Sequence, residues 1–271
     1  MCNFLKRSLT WALSITTVIF TFVPESVFEY YKFLKKASDD VNIITNRILA
    51  FCAVVLLVML VYALYLCCRR NIQIKGKNYN IHIGYGDIFE MDGCKKVIPF
   101  DECFTTSVGS APHQIKPTSI CGQYLTKHPI NNIQPLIDAT DLKPLRSRSK
   151  YNGQIRYESG TLIPNGDYLL MAFTKLDEKG LGRMSRDEYL ACLSMLWQEI
   201  SKYYGQTDVC VPILGSGITR LDDISLTQQD LLDMMIASYK LSAHKIKAPL
   251  KLHIVCRKCE GFSLNKIGNH I

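Results

Sequence analysis

The chain has 271 residues, a mass of 30.8 kDa, a hydrophobic fraction of 48% and a formal net charge of +8 from 32 Lys and Arg against 24 Asp and Glu. That length leaves room for one good-sized domain plus extra segments and excludes a large multidomain enzyme, and a surplus of this size is too small to argue for nucleic acid as a partner. The 11 cysteines show no disulfide-like framework and agree with a reducing compartment.

Two apolar stretches near the N-terminus hold a large share of the hydrophobic residues. Ile48 to Cys68 is 21 consecutive residues without a charge, about 31 Å as a helix, which matches a bilayer core. Leu9 to Val23 is shorter and follows Lys6 and Arg7. It reads as a tilted first span or as the apolar core of a signal peptide; no small-x-small cleavage site precedes the charged stretch from Glu25 to Arg47, which favours the span. Basic residues flank the outer ends (Lys6 and Arg7; Arg69, Arg70, Lys75 and Lys77), whereas the intervening loop balances four basic against four acidic residues. The positive-inside rule then puts both termini in the cytoplasm, as in a multi-pass protein of the cell inner membrane. The expected organisation is a transmembrane hairpin over residues 1–70, with spans at about 8–23 and 48–68, and a cytoplasmic domain over 71–271.

In the soluble part, Tyr79 to Gly84 alternates as a strand, and a second strand falls around Lys96 to Phe100. Pro117-Thr118-Ser119 offers a helix start, with Thr118 or Ser119 as N-cap and Gly122 in the first turns. Residues 131–154 are polar and give no clear element. Pro164-Asn165-Gly166-Asp167 joins two apolar runs as a hairpin-like turn. Ser185 and Glu188 form a capping box for a helix whose apolar positions, Tyr189, Leu193, Leu196 and Ile200, continue until Gly205. Val209 to Leu214 is a buried strand, Ser225 and Gln228 cap a further helix to about Leu241, and Leu250 to Cys256 is a final strand. This alternation implies parallel crossovers and a sheet covered on both faces.

In an open α/β sheet, ligands bind beyond the carboxyl ends of the strands. Gly215-Ser216-Gly217 occupies such a place, where glycines let backbone amides approach phosphate oxygens; the structural alternative is a plain strand-to-helix turn. No Lys-Ser or Lys-Thr pair follows it, so it is not a P-loop, and Arg220 stands where a dinucleotide fingerprint needs a third glycine. Asp87, just past the first strand, is placed to accept from an exocyclic amine, or simply to stabilise its turn.

Together, the early "GDI" (Gly86, Asp87, Ile88) and the late "PILGSGI" (Pro212, Leu214, Gly215, Ser216, Gly217, Ile218) resemble the macro domain, a fold that binds ADP-ribose and its derivatives. The likeness spans roughly Gln73 to Lys258 and implies a three-layer α/β/α sandwich behind the two-helix hairpin. By that resemblance Asp87 meets the adenine amine and the amides of Ser216 to Ile218 cradle the diphosphate. Thr118, Ser119, Gly122, Ile88 and Thr219 complete the candidate ligand-binding set. The Asn-Ala-Ala-Asn-like stretch and Gly-Gly-Gly loop of hydrolytic macro domains are missing from "VIPFDECFTTSVGSAPHQIKPTSICGQYL". No catalytic residue, cofactor or metal is therefore expected, and Asp101 or Glu102 is the fallback base if the chain is instead a membrane-tethered ADP-ribosyl hydrolase.

The two spans, with "PTSICGQYL", "LLMAFTKLD" and "ACLSMLWQEI", look like the membrane-bound effector of bacterial Thoeris anti-phage systems. The resemblance implies a partner TIR-domain enzyme that consumes NAD and makes an ADP-ribose conjugate, a histidine conjugate in this subtype. It also implies that the effector homo-oligomerises on sensing that signal and disrupts the membrane.

Thr10, Ser14, Thr17 and Thr21 lie along one stripe of the first span, either lining a wet interface or bonding back to their own helix. Cys256-Arg-Lys-Cys259 has zinc-like spacing without a second pair and reads as no metal. Lys143, Arg146, Arg148 and Lys150 guide an anionic ligand, touch anionic lipid or form a solvated loop. Trp197 reads as core.

Overall fold

The computed structural model describes residues 2–30, 38–111, 113–217, 220–221 and 226–267. The chain divides into two compact units, Met1–Arg69 and Arg70–Ile271.

The first unit is helical. Helix α1 (Cys2–Phe22) and a short α2 (Glu25–Glu29) precede α3 (Asp39–Cys68), which starts nine residues before the expected span and runs for 30 residues, about 45 Å. Among the described residues α3 alone is long and apolar enough to cross a membrane, by length and composition. α1 has the length, but Lys6, Arg7 and six Ser or Thr residues dilute its apolar character, so its composition does not support a second crossing. Within the unit α1 packs on α3 through Ser8, Ala12 and Thr16, all buried at four-residue spacing. Small residues at that spacing let two helix backbones approach. The ring of Phe4 stacks on Tyr62 at 5.3 Å, and Arg47 caps the other end, paired with Glu25 at 2.9 Å and lying over Phe28.

The second unit is built on a nine-stranded mixed sheet. Its elements are β1 (Asn71–Gly76), β2 (Tyr79–Tyr85), β3 (Cys94–Asp101), α4 (Ile120–Lys127), α5 (Gln134–Ala139), β4 (Leu162–Asn165) and β5 (Tyr168–Leu176). They continue with β6 (Gly182–Met184), α6 (Arg186–Tyr203), β7 (Asp208–Pro212), β8 (Arg220–Leu221), α7 (Gln228–Leu241) and β9 (Lys251–Cys256). Strand order is β1-β2-β9-β7-β3-β5-β6-β8, with β4 also on β5. The central five, β2, β9, β7, β3 and β5, are mutually parallel. β1, β4 and β6 pair antiparallel with their neighbours, so the sheet is not wholly parallel.

One face carries α6 and α7. Tyr189, Leu193, Leu196, Trp197 and Ile200 of α6, with Leu232, Met235 and Ile236 of α7, pack on Ile81, Ile83, Val209, Val211, Leu252 and Ile254. Each such side chain contributes about 1.5–3 kcal/mol on burial. Trp197 is core, its Nε1 donating to Ser238 Oγ at 3.0 Å. The opposite face carries α4 and α5, with Tyr124, Leu125 and Ile137 over Ile98, Phe100, Ile163 and Leu170. This coverage stops short of β1, where Asn71, Gln73 and Lys75 stay exposed, so the expected covering of both faces is incomplete there.

The capping box at Ser185 and Glu188 is present, and so is the hairpin between β4 and β5, with Gly166 at φ +60°. The start of α7 differs from expectation. Its N-cap is Thr227, in a capping box with Asp230, whereas Ser225 lies outside the described residues. Asp230 satisfies the N-cap amide, which Gln228, already inside the helix, cannot reach in that geometry.

Candidate functional site

Parallel strands deliver their C-terminal ends to one edge of the sheet, and both turns singled out in the sequence sit there. Gly86 N donates to Cys256 O at 3.2 Å and Ile213 N donates to Val255 O at 3.3 Å, so the turn after β2 and the turn after β7 flank the end of β9. Two inter-strand spacings separate them, about 10 Å. Asp87 and Gly215 to Gly217 therefore share one edge.

Asp87 is exposed and caps a single 3-10 turn, Ile88–Glu90, by accepting from Phe89 N through Oδ1 at 3.0 Å. Its second carboxylate oxygen has no hydrogen bond to the described residues. The Ile88 side chain is buried and packs on Cys94 and Cys210, so only its main chain faces outward. Gly86 has no positive φ, and an added Cβ would meet only Val255 at 3.9 Å. The turn does not need glycine there.

The second turn is held from below. Tyr189 Oη donates to Leu214 O at 3.1 Å and Ser216 Oγ donates to Ile213 O at 2.7 Å. Gly215 has φ +79°, the left-handed region that glycine enters without strain. Gly217 is exposed, and a Cβ there meets nothing within 4 Å among the described residues. Ile218 and Thr219 lie outside the described residues.

The start of α4 approaches the Asp87 turn through Ile120, which packs with Ile88 and Phe89. Ser119 is the N-cap: its Oγ accepts from Gly122 N at 3.0 Å and donates to Lys116 O at 2.7 Å. Gly122 is required by packing, because a Cβ would stand 2.2 Å from Lys116 O. Thr118 is exposed beside them. Ser119 and Gly122 thus shape the rim, and neither presents a side chain free to bind.

The fallback bases are engaged elsewhere. Burial pushes Asp101 above the usual aspartate range, while Cys103 N and Thr105 N donate to its Oδ1. Glu102 is buried and accepts from Ser149 Oγ at 2.6 Å, Leu176 N at 3.2 Å and Arg156 Nη1 at 3.1 Å. Sequence reading missed this structural role because Arg156 lies 54 positions away. Of the basic cluster, Lys143, Arg146, Arg148 and Lys150 are exposed. Cys256 is buried, with Sγ directed at Ile254 O, whereas Cys259 Sγ reaches Gln228 Oε1. In α1 the four striped hydroxyls each donate to a carbonyl four residues back, at 2.8–3.1 Å. They satisfy themselves within the helix.

Residues 81–257 match the family model described as Thoeris protein ThsA, Macro domain. The chain is 29% identical over 269 residues to Thoeris protein ThsA of Bacillus amyloliquefaciens (strain Y2), covering 96% of this chain and 88% of that protein. Among solved structures, a mutant of the Oceanobacillus iheyensis macrodomain with ADPR aligns at TM-score 0.43 and 9% identity, over 69% of this chain and 90% of that one. The macrodomain of Thermus aquaticus DarG aligns at TM-score 0.38 and 14% identity, over 65% and 97%.

Proposed function

Because the chain belongs to the Thoeris ThsA macro-domain family, we propose that it is a membrane-anchored receptor-effector of anti-phage defence whose cytoplasmic domain binds an ADP-ribose derivative. The observation that carries this reading is the common edge of the Asp87 turn and the Gly215 to Gly217 turn, on either side of β9. A carboxylate with one uncommitted oxygen at one side suits an exocyclic amine. Main-chain amides in a glycine turn at the other suit a diphosphate. The separation of about 10 Å is of the order of the reach of an adenosine.

The signal is a histidine-ADP-ribose conjugate made by a TIR-domain NAD-consuming partner. Binding favours a homo-oligomer in which α3, the one crossing that length and composition support among the described residues, disrupts the inner membrane while the macro-like domain remains cytoplasmic. A ligand drives such a change only by binding the assembled state more tightly than the separate chains. Asp101 and Glu102, tied into internal bonds, give a hydrolase reading no free base.

Full-length protein in detergent tests this by thermal shift against ADP-ribose, its histidine conjugate and NAD. The conjugate should raise Tm in the parent, and neither Asp87→Asn, which keeps the bond to Phe89 N, nor Gly217→Glu should respond while both keep the unliganded Tm. A parent that responds to none of the three, or variants that respond like the parent, would rule the reading out.

A further inference from the structure

The register brings one chemically unusual row of side chains together. Gln73, His82, His253, Cys210, Lys96 and Tyr168 are successive cross-strand partners over β1, β2, β9, β7, β3 and β5, so all point to the same face. This is the face opposite α6 and α7. At the centre of the row, His82 Nδ1 lies 3.2 Å from His253 Nδ1, and His253 Nε2 lies 2.8 Å from Asp208 Oδ2. The cluster is half-buried beside the exposed side chains of β1.

We propose that His82 and His253 form a two-imidazole chelate for a divalent transition-metal ion of the zinc, cobalt or nickel type, clipping β2 to β9. Asp208 of β7 orients the second ligand. The distances carry the argument. Two nitrogens each about 2.1 Å from an ion, at tetrahedral or octahedral angles, stand about 3.0–3.4 Å apart, and the observed 3.2 Å falls inside that interval. Asp208 accepts the Nε2 proton of His253, which leaves Nδ1 as the lone-pair nitrogen, the carboxylate-histidine-metal arrangement that fixes tautomer and raises ligand basicity. Without metal, His82 donates its Nδ1 proton to His253 Nδ1. With metal, that proton is released to solvent and His82 takes one up at Nε2, so both rings stay neutral and no net proton is exchanged.

No group of three or more His, Cys, Asp or Glu donors is arranged for a metal among the described residues. Water therefore fills the remaining coordination positions, and the ion exchanges readily, unlike one in a closed structural site. The consequence is mechanical: β2 and β7 are the strands that lead into the Asp87 and Gly215 turns, and the ion with its carboxylate partner ties both to β9. This inference does not depend on the ligand proposed above.

The test uses full-length protein in detergent, stripped with EDTA and titrated with cobalt(II) alone. Binding should give nitrogen-and-oxygen ligand-field absorption without a thiolate charge-transfer band, and should raise Tm. His82→Gln and His253→Gln, whose metal-free Tm reports intact folding, should each abolish both signals, and Asp208→Asn should weaken binding roughly 10-fold or more. The proposal fails if millimolar cobalt leaves absorption and Tm unchanged, if a thiolate band accompanies binding, or if a folded His82→Gln protein binds as the parent does.

Discussion

The hydroxyl of Tyr189, on helix α6, donates to the carbonyl oxygen of Leu214 at 3.1 Å, and both residues are buried. The capping box at Ser185 and Glu188 sets where α6 begins, and so sets the height at which the glycine turn is held. Tyr189→Phe leaves a buried acceptor without a donor, at a cost of about 1–3 kcal/mol. The expected result is a lower Tm together with weaker response to the ADP-ribose conjugate. An unchanged Tm would mean that the hydrogen bond does not hold the turn.

The two glycines of that turn should respond differently to alanine. At φ +79°, Gly215 is in left-handed backbone, where a Cβ costs about 1–2 kcal/mol. Gly217 has open space at its Cβ position among the described residues, so Gly217→Ala should change stability by no more than about 0.5 kcal/mol. Denaturant midpoints of the two variants check this, and equal midpoints would contradict the assigned backbone.

Glu102 supports the far side of the same edge. It joins Arg156, Ser149 and the Leu176 amide with a side chain 2% exposed. Glu102→Ala leaves the Ser149 hydroxyl and the Leu176 amide without their buried acceptor, at about 1–3 kcal/mol each, while Arg156 keeps its two bonds to Ser147. If Glu102 were a base, Glu102→Gln would instead keep the parent Tm and abolish a turnover present in the parent. The expected outcome is a large drop in Tm for Glu102→Ala and a smaller one for Glu102→Gln.

What the sequence revealed was mostly local chemistry. The Ser185 to Glu188 box, the Asn165-Gly166 hairpin and the apolar run into Cys68 each depend on residues within a few positions of one another, and each is present. Turn placement was also legible, because parallel strands send Asp87 and Gly215 to the same edge whichever strand lies between them. The rest depends on partners far apart in the chain. β8 has only two residues and exists through pairing with Arg183 and Met184 of β6. α5 lies in the polar stretch and carries Pro135 at its start. The row from Gln73 to Tyr168 exists only through the strand register.

The last prediction concerns acid. At the start of α7, Thr227 Oγ1 donates to Asp230 Oδ2 at 2.6 Å and Thr227 N donates to the same oxygen at 2.9 Å. Those bonds to Thr227 hold the Asp230 carboxyl below the usual aspartate value. A depressed carboxylate pKa means that the unfolded chain binds the proton more readily. The stability Asp230 contributes is therefore complete above the unfolded value of about 3.9 and is lost as pH falls through the lower folded value. Asp230→Asn mimics the protonated form, so its Tm should lie below the parent's from about pH 7 to about pH 5, and the gap should shrink as pH falls below the unfolded value of about 3.9. Melting curves of both proteins across that range decide it: a gap of constant size would show that the capping carboxylate does not titrate with folding.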